Sequence, residues 1–573
     1  MSQISLNGVW HFTIDQDPEG KHWCYSAINS GVPLLRHWKT VVVPGCWNRY
    51  GQEYDLFEGV CWFAREFVVE DLPQSAVANL TFEGVNYLSD VFLNGKKVGM
   101  HEGGYTPFSL DVSAAITKGV NRLAVRVDNR LFKTRLPPET GWYNYGGIHR
   151  DVSLRITEKA QLNEIKISAL PEGRGAKGSV AVRVEPADLK VELSARIMDK
   201  AGKCVWSGKT SGAGKLEIIF ELQETELWSP ANPALYDCEM ELAADGKVVD
   251  RRKVCFGLRK IEARGNRILL NDEKIYLKGM CHVFDHPVCG MTFDPAVIRA
   301  DLDDLQALGV NCLRSHFPPP SFVLDECDRR GMMLWMEAPI YCMKPKLSDR
   351  GTMFADNGVK NLALGMLREM VFQAINHPAV IIWSVGNECN VEHSEAEEFF
   401  RACVEQVRAL DNSRLVAYAS FYGNLGCMKD KVDVVGINQY WGWYDRIDLL
   451  TGSARPESGE MDLAPLEKCL KEKSELGKPL VMSEFSADTV PGYLSSSCEL
   501  WSENYQALFM ERQMDVFARY PAVAGSFPFC YADYRDPAKP VNQYWDGFNL
   551  KGLVDYKRRH KMAWDVVRRR YQA

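Results

Sequence analysis

The feature that most restricts the fold lies in residues 263–573, where short apolar runs alternate with amphipathic stretches. Eight runs recur: "IYLKGMC", "VNCLRSH", "MMLWMEA", "AVIIWSVG", "RLVAYAS", "VDVVGINQY", "PLVMSEF" and "VAGSFPF". Each is too short for a core helix and reads as a buried strand. Most are separated by helical patterns, notably 359–376, 395–411, 463–476 and 503–520. The stretch "DPAVIRADLDDLQALG" shows the logic. Asp294 is placed to cap, Pro295 fits the first turn, Ile298, Leu302 and Leu305 share one face, and Gly309 ends the helix. Two gaps are thin: 421–431 is too short for a full helix, and 317–331 holds a brief one. Eight parallel strands with outer helices close a (β/α)8 TIM barrel.

Upstream the texture is all-β. Residues 1–157 carry runs such as "ANLTFEGV" and "RLAVRVDN", and "LNGKKVG" holds the Asn-Gly signal of a tight hairpin. Residues 158–262 continue with "GSVAVRVEP", "VELSARIMD" and "KLEIIFEL", a spacing that suits an immunoglobulin-like β-sandwich. A chain of 573 residues exceeds what one core supports, so a multidomain protein is expected. Its net charge of −7 gives no reason to expect nucleic acid or an anionic membrane as partner. The C-terminal "YKRRHK" and "VVRRRYQA" read as a solvated basic tail. No apolar run approaches the ~18–20 residues that span a bilayer. "MSQISLNGVWHF" has neither part of a secretory signal. The 17 cysteines form no CxxC pair, so a reducing cytoplasm is the expected setting, without a disulfide scaffold or structural zinc. Cys255, Cys312 and Cys530 fall in apolar runs and read as small buried hydrophobes.

Functional side chains of such barrels project from the C-terminal strand ends. Those ends here carry Arg314, Ser315 and His316; Glu337; Asn387 and Glu388; Asn438, Tyr440 and Trp441; Glu484; and Phe529 through Asp533. A carboxylate ending a run like "AVIIWSVGNE" is costly to bury unpaired. Glu388 and Glu484, on the fourth and seventh strands, face one cavity from opposite sides. Such a pair suits glycosidic bond cleavage, one carboxyl serving as acid then base while the other attacks the anomeric carbon. The ionised nucleophile raises its neighbour's pKa and keeps it protonated for acid duty. An aromatic rim (Tyr440, Trp441, Trp443, Tyr444, Phe529, Tyr531) suits the apolar face of a sugar. The residues alone leave two other readings open. The glutamates could be structural, bridging to Arg314, or the barrel could hold a metal. Only His316 is well placed as a ligand, with His282 and His286 as further candidates, so no metal is expected.

At this point the sequence resembles glycoside hydrolase family 2, in its β-glucuronidase branch. "WSVGNECN" resembles the acid/base signature and "VMSEFSAD" the nucleophile segment, while "LNGVWHF", "VPGCWN", "FLNGKKVGMHEGGYTPF" and "NYGGIHRDV" resemble the N-terminal β jelly-roll. The resemblance implies a retaining exo-β-glucuronidase with Glu388 as acid/base and Glu484 as nucleophile. It implies sugar contacts for Asn387, His316, Tyr440 and Tyr444, and an Asn549-x-Lys551 clamp for the glucuronate carboxylate. It implies no cofactor, a uronide substrate, and a homo-oligomer of two or four copies. Several positions depart from the pattern. Gly141 replaces an acidic residue that contacts the sugar, Phe529 a tryptophan and Trp545 an arginine, and "MCHVFDHP" keeps only Asp285-His286 of the usual run after strand one. The segment between "MEAPIY" and "NHPAVIIW" is short, implying an open aglycone side. Gly141 keeps a β-galacturonidase or β-galactosidase open as alternatives, and a non-catalytic carbohydrate-binding protein is the remoter one.

Overall fold

The computed structural model describes residues 2–15, 38–455 and 460–573. A six-stranded and a four-stranded sheet, running from Ser2 to Glu158, enclose the first core. Phe63, Leu123 and Val125 of one sheet and Leu80, Phe82 and Leu154 of the other are buried between them. A three-stranded and a four-stranded sheet between Gln161 and Phe256 form a second sandwich. Its strand Lys215–Leu222 alternates strictly: Leu216, Ile218, Phe220 and Leu222 point inward, and the residues between them face solvent. That period of two fixes which face is buried.

The remainder is a closed barrel of eight parallel strands. In order they are Leu277–Cys281, Cys312–Arg314, Met333–Glu337, Val380–Asn387, Leu415–Phe421, Val434–Asn438, Leu480–Phe485 and Val523–Pro528. The helix Pro295–Leu308 forms as its sequence predicts. The Asp294 carboxylate accepts from the Ala296 N–H at 2.8 Å, Ile298, Leu302 and Leu305 are buried, and Gly309 takes φ 94°. After the fifth strand there is only the 3-10 turn Gly426–Met428, while the brief helix in the other thin gap is Ser321–Arg330.

Two expectations need correction. Of the two C-terminal basic stretches, "VVRRRYQA" is not a solvated tail but lies largely in the helix Met562–Gln572, and "YKRRHK", just before it, buries Lys561 in an ion pair with Asp533 at 2.7 Å. The helix's arginines 568–570 are exposed, whereas Trp564, Val567 and Tyr571 are buried. Charges that cluster in sequence are thus segregated by the helical period. The Tyr571 hydroxyl lies within hydrogen-bonding distance of the carbonyls of Ser526 (2.6 Å) and Gly279 (3.0 Å), bridging the eighth strand and the first. Cys312 and Cys530 are buried as expected, but Cys255 is exposed because its position alternates outward. The 16 cysteines among the described residues are free thiols; Cys24 lies outside them.

Both sandwiches dock on the barrel through specific polar contacts. Trp228 donates its indole N–H to the Asp328 carbonyl at 2.9 Å, and Arg259 donates to the carbonyls of Pro378 and Val380 at 3.0 and 2.7 Å. Gly331, at φ 69°, lets the end of helix Ser321–Arg330 lie against Pro230, whose carbonyl oxygen would be 2.5 Å from any Cβ there. On the other side Arg150 reaches the Pro318 carbonyl at 2.6 Å, and Tyr145 donates to Asp285 at 2.9 Å. These contacts hold residues 139–144 of the N-terminal sandwich over the mouth of the barrel.

Candidate active site

The strand ends open into a cavity of about 800 Å³. Glu388, Glu484, Asn387, His316, Tyr440, Tyr444 and Asn549 all line it. The fourth strand is buried along its whole length and ends at Asn387. Glu388 then takes a left-handed φ of 49° while its N–H donates to the Ala419 carbonyl at 2.9 Å. For a residue with a Cβ that conformation costs about 1–2 kcal/mol. It is offset by the bond to the fifth strand, and it turns the carboxyl out of the strand line.

The two carboxylates sit in opposite electrostatic surroundings. Glu484 Oε1 accepts from Arg314 Nη1 at 2.9 Å and lies 3.5 Å from His316 Nε2. Its Oε2 accepts from the Tyr440 hydroxyl at 2.8 Å. Glu388 has weaker company: Asn438 Nδ2 at 3.0 Å and the exposed Lys344 Nζ at 3.5 Å. Burial first, and Glu484 second, push its carboxyl above the usual range against those two partners.

Arg314 is the hub of this arrangement. Fully buried, it also donates to both oxygens of Glu337 at 3.0 Å and to Asn387 Oδ1 at 2.7 Å. Burial alone would raise Glu337, yet Arg314 and then His316 outweigh it and hold that carboxyl below its usual range. Asn387 Oδ1 accepts a second bond, from Asn438 Nδ2 at 2.9 Å. With its oxygen occupied twice, the amide of Asn387 presents N–H donors to the cavity. His316 is held by Glu337 at 3.1 Å and stacks on Trp142 with centroids 5.7 Å apart. Trp142 comes from the N-terminal sandwich, so two domains line the cavity.

A family profile described as "Glycosyl hydrolases family 2, TIM barrel domain" matches residues 261–573, more than half the chain. This chain belongs to glycoside hydrolase family 2. The family's sugar-binding domain matches residues 4–158 and its central domain residues 161–259. A β-glucuronidase of Paenibacillus borealis is 26% identical over 609 residues, covering 99% of this chain and 96% of the relative. A Bifidobacterium dentium β-glucuronidase, solved with coumarin-3-O-glucuronide, superposes with TM-score 0.89 at 25% identity, covering 100% of this chain and 97% of that one. A β-galacturonidase of Eisenbergiella tayi, solved with galacturonate, gives TM-score 0.82 at 26% identity with the same coverage, 100% and 97%.

Within this family 2 hydrolase the clamp expected from the sequence is divided. Asn549 lines the cavity, its Oδ1 accepting the Lys551 N–H at 3.3 Å, which leaves the amide nitrogen for a ligand. Lys551 does not line the cavity. It is 1% exposed, and its ammonium is ion-paired with the equally buried Asp488. Asp488 accepts in addition from Trp443 Nε1 at 2.8 Å and the Leu550 N–H at 3.1 Å. Burial would raise Asp488, but Lys551 and Lys539 outweigh it and hold the carboxyl below its usual range. Where the sequence led us to expect an ammonium awaiting a ligand, the loop after the seventh strand supplies it with a counter-charge in this structure. Removing one partner of such a pair strands a buried charge. Lys551→Met is expected to cost about 3–5 kcal/mol in a denaturant titration. Lys551→Met with Asp488→Asn should recover most of that; no recovery would mean the two groups are not coupled.

The aromatic rim is also thinner than expected. Tyr440, Trp441, Tyr444 and Phe529 line the cavity. Trp443 is buried against Asp488, and Tyr531 turns outward to bond Asp304 at 3.0 Å. Trp545 packs on Trp501, with centroids 5.1 Å apart. Gly141 faces the hydroxyl of Tyr341, which would lie 2.3 Å from a Cβ there, so that hydroxyl takes the space of a side chain. His282 bonds Asp301 at 3.1 Å, and the described residues hold no cluster of three or more metal-ligating side chains. Tyr341, Lys344 and Lys539 line the cavity and escaped the sequence reading. All three sit in loops, where no periodicity marks which way a side chain points.

Proposed function

We propose that the enzyme is a retaining exo-β-glucuronidase that removes terminal β-D-glucuronides by double displacement. In this reading the Glu484 carboxylate attacks the anomeric carbon while Glu388 gives its proton to the departing oxygen. Glu388 then takes a proton from water, and the hydroxide displaces Glu484 with net retention. The observation that carries the reading is the electrostatic split across one cavity. Glu484 accepts from Arg314 and Tyr440, whereas Glu388, mostly removed from water, is raised by burial and by Glu484 and has only Asn438 at 3.0 Å and the exposed Lys344 at 3.5 Å as partners. Asn387, with its N–H groups toward the cavity, is placed to hold the 2-hydroxyl. The β-glucuronidases that resemble the chain over its whole length support glucuronate as the glycone.

One observation favours a second reading. At Gly141 no acidic side chain is present and the Tyr341 hydroxyl occupies the space, which alters what the sugar meets on that side. The similarity to a β-galacturonidase bound to galacturonate fits such a change. Both readings share the uronate carboxylate and differ at C4. The test is kcat/KM on p-nitrophenyl β-glucuronide, β-galacturonide, β-galactoside and β-mannoside. A uronide should exceed both neutral sugars by about 100-fold, the worth of one or two charge-assisted hydrogen bonds. A neutral glycoside as the best substrate would overturn both readings.

A further inference from the structure

We propose that Lys344, in the loop after the third strand, is a positioning residue for Glu388 and holds the carboxylate left when Glu388 gives up its proton. Its role rests on the double-displacement reading above, in which Glu388 is neutral in the first step and ionised in the second. Once Glu484 is esterified by the sugar, the Glu388 anion no longer opposes a second carboxylate. It meets Asn438 Nδ2 at 3.0 Å and the Lys344 ammonium at 3.5 Å, its one ion pair among the described residues.

The backbone ties Lys344 to the segment that carries Glu388. Two residues past Glu388, Asn390 donates its N–H to the Met343 carbonyl and its side-chain amide to the Pro345 carbonyl, both at 2.8 Å. Lys344 stands between those two carbonyls. Cys342, at φ 52°, adds a third tie, its N–H reaching the Asn387 carbonyl at 2.9 Å. The ammonium also lies 5.1 Å from the centre of the Phe421 ring, a contact that keeps it beside the carboxyl.

Few other charges act on this pair. Glu139 of the N-terminal sandwich is the other carboxylate near Lys344 and makes no ion pair with it. Around Glu388 the remaining charged or chargeable groups are Glu484 and His316. The thiols of Cys342 and Cys389 and the phenols of Tyr341, Tyr418, Tyr422 and Tyr440 also surround it. Burial holds all six above their ordinary ranges, so they stay neutral where Glu388 titrates. Burial and Glu484 push the Glu388 carboxyl up, and Lys344 works against them. A cation beside a carboxyl favours its ionised form, so removing Lys344 raises the pKa of Glu388 in both steps. The alkaline limb of kcat/KM marks loss of the acid's proton and moves up. On a substrate limited by the second step, the acidic limb of kcat marks protonation of the base, and it moves up too.

The test records pH profiles of wild type, Lys344→Met, Lys344→Arg and Glu388→Ala on the better cleaved p-nitrophenyl uronide and on its dinitrophenyl counterpart. In Lys344→Met the alkaline limb of kcat/KM on the first substrate and the acidic limb of kcat on the second should both rise by about half a pH unit or more. Lys344→Arg should keep both limbs near wild type. Limbs that stay put in a folded Lys344→Met, or that Lys344→Arg shifts as far, would overturn the role of Lys344 and leave the double-displacement reading standing. An alkaline limb unchanged by Glu388→Ala would overturn the assignment of Glu388, and this role with it.

Discussion

Glu484→Gln is expected to lower kcat/KM on an aryl β-uronide by about 10⁴-fold or more, with the melting temperature within about 5 °C of wild type. Glutamine fills the same volume and still accepts from the Tyr440 hydroxyl, so the wall of the site keeps its packing. What it loses is the oxygen that, in the proposed mechanism, forms the bond to the anomeric carbon. The buried Arg314 is not stranded by the change, because Glu337 still pairs with it through both oxygens at 3.0 Å. That redundancy separates chemistry from stability. The residue read as the nucleophile can be neutralised without leaving an unpaired guanidinium in the core. Near-normal turnover in the folded variant would end the assignment, and a structural glutamate bridging to Arg314 would be the reading left.

Glu388→Ala is expected to behave differently from one leaving group to another. An alkyl uronide, whose oxygen must be protonated to depart, should lose about 10³-fold or more. A dinitrophenyl uronide needs no such help, so its first step should persist and the second, lacking a base, should stall as an initial burst. Azide needs no deprotonation, and Lys344, freed of its carboxylate partner, adds an attractive charge at the mouth. Azide should therefore restore turnover and yield a β-configured uronosyl azide, whereas an α product would contradict retention. The pH dependence follows from the same residue. In the proposed mechanism Glu388 works protonated in the first step, so activity is expected below its pKa and lost as pH rises through it. Burial and Glu484 raise that pKa, which carries the alkaline limb of kcat/KM above the ordinary carboxylate range. The variant should lack that limb on the dinitrophenyl substrate. An unchanged limb would assign it to another group.

Local signals recovered much of the scaffold. The eight barrel strands could be located because each is apolar enough to be buried on both faces, and helix Pro295–Leu308 because Asp294 and Gly309 mark its ends. Glu388 and Glu484 stood out because a carboxylate at the end of such a run has to face a cavity or a partner. The C-terminal helix was missed because a cluster of arginines in sequence hides a buried face that only the 3.6-residue period exposes. Gly141 could be named but not placed, and Trp142 was missed altogether, since their position over the barrel depends on contacts between domains such as Arg150 with Pro318.

The sequence by itself determined the barrel, the two sandwiches and the pair of strand-end glutamates, since period and apolar run length act over a few residues. Only the tertiary structure decided how charge is distributed inside the cavity. Asp488 and Lys551 lie 63 positions apart, yet they meet as a buried pair, while Lys539 from the same loop as Lys551 faces the open space. Coulomb interactions in a wall of low dielectric depend on separation in space. No local pattern records which of two lysines has met its counter-charge.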